Sequence, residues 1–321
     1  MNTFNGLSFA ITMGLVAGVC AQGASSATVE ATYSEATGIG VEQNVMRRDP
    51  SDVIKVGDQF YVWYTKGAES GGYNGTVWCA TSPDGHVWTE QGEAVARGKQ
   101  GSWDGQSAFT PNIMVANGRY WLFYTGVSVY PQKRKGPDSK IGAAVADSPD
   151  GPWKKLATNP LLTNSRDPNQ FDSHLVDDSC LIVRDGKYWL YYKGRQRGKS
   201  PQQTKMGLAI ADQPEGPYTK FKGNPIIPGN HEVLVWPQGD GVAAMIGVIG
   251  PKQIRRSLVY SEDGIVFNKT DNVLKSPHAP GAYRPEAFTE SGDGKRIEWG
   301  VHIGKQKKSL PFIERFDLKV K

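Results

Sequence analysis

The chain has 321 residues, with 38% hydrophobic and 10% aromatic side chains, which is enough apolar material for a packed core and excludes a disordered chain. Its 38 glycines and 20 prolines indicate many turns between short strands rather than long helices. The net charge of +5 is modest. No nucleic-acid-binding motif accompanies the basic clusters at 133–135 and at Lys305, Lys307 and Lys308, which are interpreted as solvated faces. The charge is compatible with an anionic polysaccharide but does not indicate one.

Residues 1–21 contain no charged side chain, and the apolar run from Leu7 to Val19 is too short to span a membrane. The small residues that follow predict a secretory signal peptide cleaved after Ala21, with a disordered N-terminus as the alternative. We therefore expect an exported protein, periplasmic or secreted, with no membrane contact. Residues 22–43 are expected to form an N-terminal segment, and residues 44–321 a single domain.

Two cysteines remain if Cys20 leaves with the signal peptide. Cys79 and Cys180 both lie inside strand-like apolar runs. This context predicts two buried free thiols, with a disulfide between them as the alternative. No cysteine or histidine spacing is typical of a zinc site.

A turn followed by an aromatic strand occurs three times, as "GDQFYVWYTKG" (57–67), "NGRYWLFYTG" (117–126) and "DGKYWLYYKG" (185–194). A second element with an acidic residue before a turn glycine follows, at Asp84, Asp150, Glu215 and Asp263, with separations of 66, 65 and 48 residues. Repeats of this length built from short strands are typical of a β-propeller. We predict an all-β fold, a five-bladed β-propeller, over residues 44–321.

The innermost strand of each blade is expected to begin at a polar or acidic residue. In a propeller the inner strands line the central channel, and their starts converge at one end of it. The sequence therefore predicts a funnel ringed by Asp49, Asn112, Asp178, Glu232 and Glu286.

Acids grouped around one axis repel one another, and like charges raise carboxyl pKa values in a shared site. One explanation is a divalent cation bound near the propeller axis. The other is glycoside hydrolysis, in which one carboxylate stays ionised and an acid partner stays protonated. The two explanations are compatible, and the pattern favours hydrolysis.

Histidines and a tryptophan lie close to the predicted funnel. His231 precedes Glu232, His278 lies eight residues before Glu286, and His174 is in "FDSHLVDD". Each is a candidate for proton transfer or sugar contact, with a structural role as the alternative; His86 and His302 lack such a context. Trp103 precedes an inner strand and is a candidate for stacking on a sugar ring. The other predicted substrate contacts are Asp104, Asp172 and Arg284.

Several motifs in order resemble glycoside hydrolase family 117, the exo-acting α-1,3-(3,6-anhydro-L-galactosidase) group that acts on agar oligosaccharides, and more distantly the family 43 propellers. They are "RRDPSDVIKV" (47–56), "FTP" (109–111), "FDSHLVDDSC" (171–180), "HEVLVWP" (231–237) and "PHAPGAYRPEAF" (277–288). The resemblance covers about residues 44–290.

This resemblance implies an inverting hydrolase that removes a terminal sugar, 3,6-anhydro-L-galactose or a related one, from oligosaccharides. By the family pattern Asp49 is the general base and Asp178 the second acid, which orients the sugar. Glu286 and His278 match the acid side, and the choice between them stays open. A divalent cation near the site is also implied, without being required for the chemistry. The chain departs from the pattern at Asn112, where the family has glutamate, and the expected assembly is a monomer or a homodimer.

Two other function classes compete with hydrolysis. A non-catalytic carbohydrate-binding propeller would need no set such as Asp49, Asp178 and Glu286 together, and a scaffold propeller predicts no polar funnel. The acid set therefore favours the enzyme.

Overall fold

The computed structural model describes residues 28–68, 74–128, 139–229, 233–247, 252–284 and 296–321. Within these ranges the fold is all-β, as predicted, and its one helical element is the 3-10 turn Pro201–Gln203. In chain order the strands are β1 Thr28–Glu35, β2 Met46–Arg48, β3 Ile54–Val56, β4 Gln59–Gly67, β5 Thr76–Ser82, β6 Thr89–Val95, β7 Ser107–Ala116, β8 Arg119–Val127, β9 Ser139–Ala146, β10 Lys154–Lys155, β11 Leu175–Arg184, β12 Lys187–Arg195, β13 Lys205–Ala211, β14 Thr219–Lys220, β15 Leu234–Gln238, β16 Gly241–Ile246, β17 Ser257–Ser261, β18 Asn268–Leu274, β19 Gly281–Ala282, β20 Trp299–Gly304 and β21 Phe312–Val320.

Consecutive strands pair antiparallel in short meanders, which we call units. In the first unit β2 and β3 both pair with β4, and β5 and β6 follow. The second unit is β7–β10, the third β11–β14 and the fourth β15–β18. In the closing unit β19, β20 and β21 pair in sequence. Antiparallel pairing of chain neighbours needs only tight turns, as the repeats predict.

The N-terminal strand completes the closing unit. β1 pairs antiparallel with β21 from Val29↔Val320 to Glu35↔Glu314, and its first residues run parallel to β18. The domain boundary expected at residue 44 therefore leaves out one strand. The segment was missed because "TVEATYSE" is short and its inward-facing residues include the small Ala31.

Aromatic side chains of β4, β8 and β12 lie in the core. Trp63, Tyr64, Phe123, Tyr124, Tyr191 and Tyr192 are fully buried. Neighbouring units cover both faces of these strands, so the strands are hydrophobic without strict alternation. Pro-Asp-Gly-type turns then reverse the chain. The predicted positive φ of the turn glycines is confirmed at Gly85, Gly151, Gly216 and Gly264, with φ of 74°, 90°, 88° and 74°.

Cys79 and Cys180 are buried free thiols, as predicted. Burial raises the pKa of both, that of Cys180 to about 12. Among the described residues, no helix has the length and apolar character needed to span a membrane.

Candidate active site

Four units have a residue with the same unusual backbone conformation in or beside their innermost strand. Asp49, Thr110, Asp178 and Ala279 have φ of 49°, 46°, 47° and 47°, in the left-handed region that non-glycine residues rarely adopt. The ladder is interrupted there, with irregularities between Phe109 and Asn112 and between Asp177 and Cys180. Each such residue costs about 1–2 kcal/mol. Strain of this kind, repeated at one end of the strands, is typical of a functional site.

These four residues line one cavity. Its other lining residues are Pro50, Asp52, Pro111, Asn112, Ser179, Val233, Leu234 and Pro280. The cavity holds about 30 Å³, which is enough for an ordered water molecule. The predicted convergence of strand starts at one funnel is thus seen for Asp49, Asn112 and Asp178.

Asp49 is held by the residue before it. The Arg48 guanidinium contacts both carboxylate oxygens, Nε to Oδ2 at 2.6 Å and Nη2 to Oδ1 at 3.2 Å, and Asp49 is only 6% exposed. A two-point guanidinium contact fixes the orientation of the carboxylate. The side chain can therefore act as a base towards a group in the cavity.

Asp178 is held by a buried lysine from the middle of its own unit. Lys193 Nζ lies 2.5 Å from Asp178 Oδ2 and 3.5 Å from Asp177 Oδ1. The backbone N–H of Asp178 donates to Thr125 Oγ1 at 3.3 Å. Two neighbouring carboxylates therefore share one ammonium. Sequence reasoning missed Lys193, since a lone lysine in an aromatic strand gives no signal of its partner.

Beneath the cavity, a buried ion pair ties the inner strands together. Asp52 Oδ2 accepts from Arg284 Nη1 at 2.6 Å, and Asp52 Oδ1 accepts from the Ala282 backbone N–H at 2.9 Å. Arg284 also donates to the carbonyl oxygens of Val235 and Leu181 at 3.0 and 3.3 Å. Arg284, predicted as a substrate contact, lies here in the floor. Asp52 was not predicted; its only signal was its place three residues after Asp49.

Asn112 joins this floor to the third unit. Its Nδ2 donates to Asp52 Oδ2 at 3.4 Å, and its Oδ1 accepts from the Leu181 backbone N–H at 3.2 Å. The side chain lines the cavity and is 5% exposed. An amide can bridge an acid and a backbone donor at once, because it carries both a donor and an acceptor.

Trp103, Asp104 and Asp172 do not line the cavity. Trp103 stacks on Tyr124 inside the second unit, with ring centroids 5.5 Å apart. Asp104 accepts from Lys155 Nζ at 2.5 Å and from the Tyr124 hydroxyl at 3.0 Å. Burial opposes ionisation of Asp104, but the contacts with Lys155, Ser102 and Tyr124 together outweigh it and leave the Asp104 pKa below its usual value.

Asp172 has the same environment in the third unit. It accepts from Lys220 Nζ at 2.5 Å and from the Tyr192 hydroxyl at 2.9 Å. His174 is buried two residues further on, with its backbone N–H donating to the Arg195 carbonyl oxygen at 3.0 Å, and it is not among the cavity-lining residues.

His278 directly precedes cavity-lining Ala279. Its backbone N–H lies 3.3 Å from His302 Nδ1, and Lys305 Nζ lies 3.4 Å from its Nε2. His302 in turn places Nε2 3.3 Å from Glu314 and stacks on Tyr33. His302, for which the sequence offered no context, therefore contacts a candidate site residue. His231, Glu232 and Glu286 lie outside the described residues.

The divalent cation that the family resemblance implies does not fit the described part of the cavity. Within the described ranges, no three side chains of histidine, cysteine, aspartate or glutamate lie together as a metal site would require. The carboxylate beneath the cavity, Asp52, is already neutralised by Arg284.

The chain is similar in sequence to known proteins. The family model "Glycosyl hydrolases family 43" matches residues 43–180. The extracellular endo-alpha-(1->5)-L-arabinanase 1 of Bacillus subtilis (strain 168) is 29% identical over 175 residues, which are 52% of this chain and 47% of the arabinanase. The chain thus spans about half the length of that curated relative.

Solved structures extend the similarity over the rest of the chain. Fructan 1-exohydrolase IIa from Cichorium intybus has a TM-score of 0.60 at 12% identity, covering 87% of this chain and 56% of that chain, which is a likeness of fold alone. Zg3597, a family 117 glycoside hydrolase from the marine bacterium Zobellia galactanivorans, has a TM-score of 0.80 and 30% identity, covering 91% of this chain and 90% of that chain. The protein is accordingly a glycosidase that acts on O-glycosyl bonds, and it belongs to glycoside hydrolase family 117.

Proposed function

We propose that the protein is an exo-acting, inverting glycoside hydrolase in which Asp49 is the general base. The observation that carries the proposal is the meeting of Asp49 and Asp178 in one cavity, each fixed by its own cation. Inversion needs a base and an acid on opposite faces of the sugar, with carboxyl groups roughly 6.5–9.5 Å apart in the usual two-acid case so that water fits between them.

In the proposed step a water molecule attacks the anomeric carbon while Asp49 takes one of its protons. The bond from that carbon to the leaving oxygen breaks on the opposite face. The acid gives its proton to the leaving oxygen, so that one water is added across the glycosidic bond. Asp178 accepts hydrogen bonds from the sugar hydroxyls and favours the protonated form of the acid through its charge.

We assign the acid to His278, with Glu286 as the alternative. Support comes from the position of His278 immediately before Ala279, which lines the cavity. An imidazole can donate a proton to the leaving oxygen as a carboxylic acid does.

The proposed substrate is an agar-type oligosaccharide from which a terminal 3,6-anhydro-L-galactose or a related sugar is released. The family resemblance suggests this sugar. The arrangement of units supports a five-bladed propeller with β1 as the outer strand of the last blade. The uncharged leader and the extracellular arabinanase relative support export.

Product analysis on agar-derived oligosaccharides tests the proposal. We expect release of one terminal monosaccharide, with time-resolved NMR showing inverted anomeric configuration in the first product. A retained configuration, or binding of oligosaccharides without any turnover, would contradict it.

The acid is tested by comparing His278→Ala with Glu286→Gln, with the exposed His86→Ala as the control. Loss of the acid should impair natural oligosaccharides far more than aryl glycosides with good leaving groups, which need little protonation. If Glu286→Gln shows this difference and His278→Ala does not, the assignment passes to Glu286.

A further inference from the structure

Between β20 and β21 lies a short basic loop, residues 305–311. Lys305, Lys307 and Lys308 are all exposed on it. Among the described residues none of the three has a carboxylate within ion-pair distance, whereas most acids near the cavity are paired. Three like charges on one short loop repel one another unless an anion lies nearby.

Both ends of this loop are fixed to the rim of the cavity. At its start, the Ile303 backbone N–H donates to the His278 carbonyl oxygen at 2.9 Å. At its end, the Pro311 carbonyl oxygen accepts from the Arg47 backbone N–H at 2.9 Å. His278 adjoins Ala279, and Arg47 is two residues before Asp49. The loop therefore spans the stretch of rim between the candidate acid and the candidate base.

The other charged side chains around this stretch do not neutralise the positive charge of the lysines. Asp49 is engaged by Arg48, and Glu314 lies against His302. Arg47 is held by Glu42 and Glu90. The rim therefore presents an uncompensated positive charge beside the position of the scissile bond.

We propose that this loop binds an anionic substituent of the sugar, a sulfate ester or a carboxylate, so that the enzyme prefers charged oligosaccharides to neutral ones. The inference rests on the function proposed above and adds the chemical class of its substrate. Ammonium groups bind both kinds of anion, and a sulfate or carboxylate on the sugar next to the scissile bond would reach the loop.

Lys305 connects anion binding to catalysis. An ammonium has only donors, so at 3.4 Å it faces His278 Nε2 as an acceptor, which means an Nε2 without a proton. A substrate anion that draws Lys305 Nζ away leaves Nε2 free to carry the proton that the leaving oxygen needs. Charged substrates should therefore gain in kcat as well as in affinity.

Three matched ligands test the proposal: a neutral agar disaccharide, the same disaccharide with one sulfate ester, and a disaccharide with a uronic acid in the same position. Binding is measured by calorimetry on the Asp49→Asn variant, which keeps the ligand intact. We expect at least one anionic ligand to bind about tenfold more tightly than the neutral one, with the difference shrinking in high salt. The anionic ligand that binds more tightly than the neutral one shows whether the loop binds a sulfate ester or a carboxylate.

Substitutions of the loop lysines test whether the loop causes the preference for anionic ligands. Lys305→Gln, and the double change Lys307→Gln with Lys308→Gln, should each reduce the preference for the anionic ligand about fivefold. Lys269→Gln, on the exposed outer strand β18 of the fourth unit, is the matched control and should retain the preference. For the active enzyme, Lys305→Gln should lower the ratio of kcat values for charged and neutral substrates.

Equal binding of all three ligands, or a preference that Lys269→Gln reduces as much as Lys305→Gln, overturns the proposal. These results are distinct from a failure of the proposed function. If no ligand is hydrolysed by the wild type, hydrolysis of these sugars is rejected, and the calorimetric comparison still decides whether the loop binds anions.

Discussion

Two pairs of buried aspartates in this protein differ in whether their side-chain contacts are repeated from one unit to the next. Asp104 and Asp172 each accept from a tyrosine hydroxyl and from a lysine Nζ at 2.5 Å, with the same residue types in the second and third units. Asp49 and Asp178 share a backbone conformation, but Asp49 is held by an adjacent arginine and Asp178 by a lysine from another strand. The contacts of Asp104 and Asp172 are repeated between units and stabilise the inside of each unit. The contacts of Asp49 and Asp178 each occur once and lie at the cavity.

Lys193 is the clearest departure from the repeat. Thr65 and Thr125 occupy the corresponding position in β4 and β8, directly after the buried Tyr64 and Tyr124. Their hydroxyls accept the backbone N–H of Thr110 and Asp178, each in the innermost strand of the next unit, at 2.9 and 3.3 Å. In the third unit a lysine replaces the threonine, and its ammonium lies between two carboxylates. The exchange replaces a hydroxyl that accepts a backbone N–H with an ammonium that pairs with carboxylates at the cavity.

The largest expected effect comes from Asp49→Asn, which keeps the shape of the side chain and removes its basicity. Turnover should fall about a thousandfold or more, because the attacking water is no longer activated. Affinity for the oligosaccharide, measured by calorimetry, should change less than about threefold, since only transition-state interactions are lost. A variant that keeps a tenth of the wild-type kcat would remove Asp49 from the mechanism.

Next in size is Lys193→Thr, which restores the residue of the other two units. It leaves Asp177 and Asp178 buried without their shared cation, and breaking such a buried pair costs about 3–5 kcal/mol. The variant should therefore lose several kcal/mol of unfolding free energy relative to the wild type.

Urea unfolding of this variant and of the wild type at pH 7 provides the measurement. Lys187→Thr is the control, because Lys187 pairs with the exposed Asp212. Its change in the free energy of unfolding should stay below about 0.5 kcal/mol. A deficit for Lys193→Thr no larger than that of Lys187→Thr would show that its ammonium does not stabilise the two carboxylates.

A smaller effect, confined to stability, is expected from Asp104→Asn. The change should cost about 1–3 kcal/mol of unfolding free energy, with kcat within about twofold of the wild type because Asp104 is outside the cavity. The pKa of Asp104 is lowered in the folded state, so its contribution is present above the usual aspartate pKa and is lost as pH falls through the folded value.

Unfolding curves at pH 7 and pH 3 should show that the deficit of Asp104→Asn relative to the wild type is smaller at pH 3. A large fall in kcat in this variant would restore the role in substrate binding that the sequence suggested for Asp104.

The sequence predicted more of the fold than of the site. Turn glycines and aromatic strands recur at readable spacing, so the all-β class and the strand starts at Asp49 and Asp178 followed from local chemistry. Whether an acid faces the cavity or the inside of a unit depends on contacts with distant residues. Asp104 follows Trp103, a candidate for stacking on a sugar, and is therefore indistinguishable in sequence from a cavity residue. In the structure it pairs with Lys155 outside the cavity.

Asp52 and Lys193 show the opposite difficulty. Asp52 forms its ion pair with Arg284, 232 residues away, and no local pattern announces that partner. A lysine in a strand suggests a solvated end, but Lys193 is only 7% exposed because two acids compensate its charge. Pairings over such sequence distances become visible only once the strands are arranged around the cavity.

The pairing of β1 with β21 has a consequence for biosynthesis. Thr32 donates a hydrogen bond to Asp317 across 285 residues of sequence. The ladder between β1 and β21 therefore cannot form until β21 has been synthesised. Contacts of such high sequence separation form late, because the entropy of closing a long loop precedes any gain. Until β21 has been synthesised, β1 has no antiparallel partner and the closing unit stays incomplete.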